Sequence, residues 1–280
     1  MQWRIGNRTL DLSQRGLIMG IVNVTPDSFS DGGRFADPGR AVEHALALEA
    51  QGAGILDIGG ESTRPGAEPV PEAEELRRVL PVLRGLRGQS RALISIDTMK
   101  ASVARAALDA GADIINDVTG LRGDAAMARV VAATECGVVA MHMTGTPMTM
   151  QTDPRYEDVV AEVSSSLLER IRLLGNAGIS ADRIVLDPGF GFGKTLEHNL
   201  QLLRSLPSLA ALGRPLLVGL SRKSMIGRVL GSDRLEDRRW PTVALTAYAR
   251  EKGARIMRVH EVRPNVESLR MVEAILGVCD

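Results

Sequence analysis

The sequence predicts a single-domain α/β fold running from residue 1 to 280, a (β/α)8 barrel of the TIM-barrel type. Three observations carry that expectation. Short apolar runs recur eight times, each followed by a polar or glycine cluster and then by a longer amphipathic stretch. Their spacing, roughly 25–45 residues, leaves room for a crossover helix between parallel strands. A length of 280 residues at 44% hydrophobic content also suits one closed barrel with its helical shell. An open, doubly wound sheet is the other fold compatible with the alternation.

Taken in order, the first run is Leu17–Val22, apolar on both faces as a barrel strand must be. The helical pattern Gly39–Gln51 follows and stops at Gly52, a residue suited to a helix C-terminus. The next strand, Ile55–Ile58, leads to the amphipathic stretch Glu72–Leu86. Leu93–Ile96 is followed by the helix Ser102–Ala110, closed by Gly111. Ile114–Ile115 precedes Ala125–Thr134, and Val138–Met141 precedes the long stripe Tyr156–Ala177, closed by Gly178. Ile184–Leu186, Leu216–Val218 and Ile256–Val259 complete the strands. Their helices are Leu196–Leu206, Thr242–Glu251 (before Gly253) and Asn265–Leu276. The charged stretch Ser232–Arg239 reads as a solvated loop.

Composition narrows the function. Lys plus Arg and Asp plus Glu both number 34, so neither nucleic acid nor an anionic membrane surface is an expected partner. No run approaches the ~20 apolar residues of a membrane span, and no signal-like h-region opens the chain. Two cysteines, Cys136 and Cys279, give neither a disulfide framework nor metal-ligand spacing, which fits the reducing cytoplasm. All four phenylalanines, Phe29, Phe35, Phe190 and Phe192, fall in loop sequence, so an aliphatic barrel interior is expected.

The strand ends carry the chemistry. In order they offer Asn23, then Ser62 with Thr63, Asp97, Asn116 with Asp117, His142, Asp187, Ser221 with Lys223, and Arg258 with His260. One such residue can be a helix N-cap. Eight consecutive polar ends are better explained by the mouth of a barrel, where active sites assemble. The segment Asn23–Gly33 mixes hydroxyls, carboxylates, glycines and Phe29, the composition of a lid that closes over substrate. Gly59–Gly66 offers amides, hydroxyls and Arg64 to an anion, and Asp187–Lys194 lets backbone approach a planar ligand. His142, between two methionines, reads as the end of a core strand, and His198 as a helix-capping residue.

No arginine is placed by sequence alone to neutralise both Asp97 and Asp187, so a ligand rich in N–H donors is expected there. A cationic pair, Arg258 and His260, alternates onto one face across the mouth and suits a pyrophosphate. The ordered runs GIVNVTPDSFSDGG, DIGGESTRPGA, SIDT, INDV, MHMTGTPMTMQ, DPGFGFGK, GLSRKSMIG and RVHEV resemble the successive signatures of the dihydropteroate synthases, from Gly20 to Val262.

That resemblance implies a cytoplasmic, homodimeric transferase of folate biosynthesis, which condenses 6-hydroxymethyl-7,8-dihydropterin pyrophosphate with p-aminobenzoate. It implies Mg²⁺ on the pyrophosphate, held in part by Asn23. It assigns the pterin to Asp97, Asn116, Asp187 and Lys223, and the diphosphate to Thr63, Arg258 and His260. The p-aminobenzoate pocket, also the sulfonamide site, falls to Arg64, Pro65, Phe190 and Ser221, with Phe29. Asp97, Lys223, Arg258 and His260 are then the catalytic set. The family more often has Asp where this chain has Glu261, a position expected to lie beyond the chemistry. A methyltetrahydrofolate methyltransferase would share the barrel but lack the NVTPDSFSDGG and STRPG loops. An inert pterin-binding paralogue would lose residues such as Asn23, Thr63, Lys223 or His260. A Schiff-base aldolase on Lys223 has no feature that selects a carbonyl substrate.

Overall fold

A computed structural model describes residues 1–25 and 37–278. The chain begins with a hairpin, β1 (Gln2–Ile5) and β2 (Arg8–Asp11), paired antiparallel. The barrel strands are β3 (Leu17–Asn23), β4 (Ile55–Gly59), β5 (Leu93–Asp97), β6 (Ile114–Asp117), β7 (Gly137–Met141), β8 (Ile184–Asp187), β9 (Leu217–Val218) and β10 (Ile256–Val259). They lie parallel in the order β8-β7-β6-β5-β4-β3-β10-β9. A parallel bridge between Leu186 and Leu216 joins the two ends, supported by the Leu186 amide donating to the Pro215 carbonyl at 2.9 Å. The expected (β/α)8 barrel is what forms.

The helices are α1 (Pro38–Ala50), α2 (Glu72–Leu86), α3 (Ala101–Asp109), α4 (Met127–Ala132), α5 (Val159–Asn176), α6 (Leu196–Arg204), α7 (Leu206–Ala210), α8 (Ser224–Leu230), α9 (Arg239–Glu251) and α10 (Val262–Ile275). Strand side chains alternate between two environments, as the pleat requires. Leu56, Ile58, Ile94, Ile96, Ile115, Val138, Leu186, Val218 and Val259 point outward into the helical shell. Met19, Ile55, Leu93, Ile114, Val139, Val185, Leu217 and Ile256 point inward and form the floor, which is aliphatic as expected. The exception is Trp3 of the hairpin, fully buried against that floor with its indole N–H donating to the Arg183 carbonyl at 2.8 Å.

The structure adds elements that periodicity alone does not reveal. The hairpin strands and α8 are too short to show a repeat. α9 starts at Arg239, ahead of the expected Thr242, because Pro241 is tolerated in a first helical turn. Part of the stretch expected as a solvated loop, Glu236–Arg238, is a 3-10 turn leading into that helix.

Candidate active site

The parity that sends the floor residues inward continues up each strand. Two residues above Ile55 comes Asp57, and above Leu93 come Ser95 and then Asp97. Above Ile114 comes Asn116, above Val185 comes Asp187, and above Ile256 comes Arg258. The upper layer of the barrel is therefore polar. Asp57 is fully buried, and Asp97, Asn116 and Asp187 nearly so.

Arg258 supplies the charge that sequence alone could not place. Its Nε donates to Asp57 Oδ2 at 2.6 Å and its Nη2 to Asp97 Oδ2 at 2.7 Å. The amide of Asn116 donates to the same Asp57 oxygen at 3.1 Å. Arg258 therefore lies among the carboxylates instead of forming a separate cationic edge with His260. Burial pushes the Asp97 carboxyl up to about 7, opposed by Arg258 and reinforced by Asp57, Glu75 and Asp117. The same two acids hold the Arg258 guanidinium above its ordinary range despite its desolvation.

Asp187 is anchored through one oxygen, which accepts from the Gly189 amide at 2.7 Å, and burial raises its pKa. The loop that follows is shaped by two glycines. At Gly189, with φ +70°, a Cβ would lie 1.9 Å from the His142 carbonyl oxygen; at Gly191 one would press on the Lys223 side chain at 3.2 Å. Between them, Phe190 turns down into the helical shell and is 1% exposed. Phe192 turns toward the mouth, its ring 4.1 Å from Lys223 Nζ. This corrects the expectation for Phe190: the ring offered to the site is Phe192. Lys223 is half-buried beside it, and desolvation brings its pKa down to about 8, with Asp187 acting in the opposite sense.

On the other flank, the Ser221 hydroxyl accepts from the His260 amide at 3.2 Å and lies 2.9 Å from His260 Nδ1. That contact holds the imidazole ring against the serine. Burial, reinforced by Arg222, Arg258, Arg64 and Lys223, lowers the His260 pKa to about 3. His260 is thus a neutral N–H donor in the free protein, not the cation expected beside Arg258.

The loop after β4 is pinned at Glu61, whose carboxylate accepts from Lys100; Lys100 also reaches Glu75 at 2.5 Å. Thr63 is left half-buried and Arg64 and Pro65 exposed at the rim. Asn23 ends β3 opposite Gly59, where the missing side chain keeps the space between Asn23 and Asp97 open. The expected lid beyond residue 25, with its Phe29, lies outside the described residues.

Some expectations resolve as structural roles. Asp117 faces the helices, where Oδ1 accepts from the Thr119 amide and hydroxyl at 2.7 Å and shapes the turn after β6. His142 Nδ1 lies 3.1 Å from Lys194 Nζ, which also donates to the Gly189 and Phe192 carbonyls at 3.0 Å. Lys194 is therefore the knot of the Asp187–Lys194 loop. His198 closes a capping box with Thr195, as expected. Glu261 is closer to the site than expected, since its carboxylate accepts from Arg222, the residue between Ser221 and Lys223. The residue that sequence reasoning missed is Asp57, although an acid inside ILDIG on the parity of Ile55 was its signal.

The chain that carries this carboxylate-lined site is similar to known proteins over nearly its whole length. The profile of the pterin binding enzyme family matches residues 19–260. The chain belongs to the dihydropteroate synthase family of pterin-binding enzymes. The Escherichia coli K12 dihydropteroate synthase is 47% identical over 272 residues, covering 96% of this chain and 94% of that protein. A solved Xanthomonas albilineans dihydropteroate synthase with 4-aminobenzoic acid superposes with a TM-score of 0.92 at 48% identity, covering 100% of both chains. The Yersinia pestis dihydropteroate synthase in complex with a sulfonamide drug gives 0.93 at 44% identity, covering 99% of this chain and 100% of the other. Family membership makes the chain a transferase of folate synthesis.

Proposed function

We infer that this chain joins 6-hydroxymethyl-7,8-dihydropterin pyrophosphate to p-aminobenzoate, releasing 7,8-dihydropteroate and pyrophosphate, and that residues 1–280 act as one pterin-binding unit. The observation that carries the residue assignment is the inward convergence of Asp97, Asn116, Asp187, Lys223 and Arg258 at one end of the barrel. The free oxygen of Asp187 and the carboxylate of Asp97 accept from the adjacent N–H donors of the aminopyrimidinone edge. Lys223 and Asn116 serve its carbonyl and ring nitrogens.

The carbon–oxygen bond to pyrophosphate breaks with its electron pair leaving on the pyrophosphate. Positive charge spreads from the methylene into the pterin, where the buried carboxylates stabilise it. The arylamine nitrogen then forms the new carbon–nitrogen bond, and the acidic arylammonium that results gives its proton to water or the released pyrophosphate, so no strong base is needed. Arg258, His260, Thr63 and Arg64 receive the leaving group. Ser221, Arg64 and Pro65, with Phe192 in the place expected for Phe190, form the arylamine pocket, and sulfonamides compete there.

Asn23 offers one neutral amide oxygen, and among the described residues no three His, Cys, Asp or Glu gather into a metal cage. That donor set suits an Mg²⁺ carried mainly by phosphate oxygens and water, which would neutralise charge on the departing pyrophosphate. Exposed Trp240, Met271 and Ile275 on α9 and α10 support a homodimer. No helix among the described residues is long and apolar enough to cross a membrane. The buried, unpaired Cys136 supports a cytoplasmic setting. The test mixes protein, pterin pyrophosphate, p-aminobenzoate and Mg²⁺. Dihydropteroate and pyrophosphate in equal amounts are expected, and pterin binding without product would overturn the proposal.

A further inference from the structure

Asp57 lies one layer below the strand ends, and burying an acid there is costly unless it is paired and hydrogen-bonded. Its Oδ2 holds two of the residues assigned to the substrate, Arg258 through Nε at 2.6 Å and Asn116 through its amide at 3.1 Å. Arg258 reaches Asp97 with a different nitrogen, Nη2, at 2.7 Å. The two contacts are therefore separable. A ligand whose N–H groups took the Asp97 oxygens would displace Nη2 without breaking the bond from Nε to Asp57.

We propose that Asp57 is a positioning residue, which keeps Arg258 and Asn116 on the barrel wall while Asp97 exchanges its arginine for the N–H groups of the bound pterin. The displaced Nη2 is then free to turn toward the pyrophosphate, so a single anchored guanidinium serves Asp97 in the free protein and the leaving group in the complex. The inference rests on reading Asp97 and Asn116 as the pterin grip.

The test measures the dissociation constant of the pterin pyrophosphate with Mg²⁺, the KM for p-aminobenzoate and the thermal midpoint. It uses the wild-type chain, Asp57→Asn, Asp97→Asn, Arg258→Met and the double variant Asp57→Asn/Arg258→Met. Asp57→Asn should weaken pterin pyrophosphate binding by at least about tenfold and leave the p-aminobenzoate KM within about twofold. The double variant should bind within about twofold of Arg258→Met alone, because Asp57 acts largely through Arg258. Should Asp57→Asn fail to fold with Arg258 left unpaired, that last comparison stands without it, since the double variant strands no arginine charge. A lower thermal midpoint with unchanged binding, or additive losses in the double variant, would overturn the proposal. If Asp97→Asn also leaves pterin binding unchanged, the assignment of the site falls; if only Asp57→Asn does so, this inference alone falls.

Discussion

The floor and the mouth of this barrel are built by the same strands, on the same inward face, yet they do opposite things. At the floor, Met19, Ile55, Leu93, Ile114, Val139, Val185, Leu217 and Ile256 pack against Trp3. Two residues further along come Asp57, Ser95, Asn116, Asp187 and Arg258, and at the top of β5 Asp97, all of them buried except the partly exposed Arg258. The floor is held by dispersion and exclusion of water. The mouth keeps several charges out of water and needs Arg258 to make that tolerable. Position along a strand, and not face or burial, separates stability from chemistry here.

That contrast can be broken at either end. The largest effect is expected at the floor: Trp3→Ala should cost about 3–5 kcal/mol of stability, read by denaturant unfolding. Its kcat/KM per folded molecule should be unchanged, and a comparable loss of activity would tie the floor to the chemistry. At the mouth, Asp97→Asn should lower kcat by roughly 10²–10³ while weakening pyrophosphate binding far less. Equal losses in both would count against its role. Because the folded Asp97 pKa is raised from 3.8 to about 7, the stability from its proton is full below about 4 and lost as pH rises through about 7. The Asn variant should therefore lose less stability than wild type between those values.

Lys223 sharpens the comparison by pH. With its pKa lowered to about 8, the amine is charged below that value and loses its charge as pH rises through it. Pterin pyrophosphate binding should weaken up to about tenfold per pH unit above 8, and Lys223→Arg should remove that limb, since a guanidinium stays charged. An identical alkaline limb in the Arg variant would assign it to another group. The smallest effect is expected at Glu261. Glu261→Asp shortens the reach to Arg222 across a partly exposed pair, so the KM for p-aminobenzoate should rise no more than about fivefold. A larger change would place Glu261 inside the chemistry.

Most strands were legible because a strand buried on both faces is written as an unbroken apolar run. The ends were read short at β3, β4, β5, β6 and β8, since Asn23, Gly59, Asp97, Asp117 and Asp187 look like loop residues yet still pair in the ladder. Asp97, Asn116, Asp187, Lys223 and His260 were legible as candidates through their place after those runs, and Arg258 as the one charge within the last of them. Asp57 was not, because it sits inside an apolar run, where its parity with Ile55 was the one sign that it faces inward.

By itself the sequence determined the eight-fold alternation, the polar end of each strand and the family signatures, because each is local in the chain. Direction and partnership were decided only by the tertiary structure. Phe192 rather than Phe190 faces the mouth because Gly189 and Gly191 turn the loop between them. Asp117 faces the helices because it lies one residue beyond Asn116 in the pleat. His260 is neutral because burial and neighbouring cations outweigh its ordinary basicity. Arg258 serves two acids from strands far apart in sequence because closing the barrel brings β10 across from β4 and β5. Such contacts depend on distances between strands, which no local pattern of residues encodes.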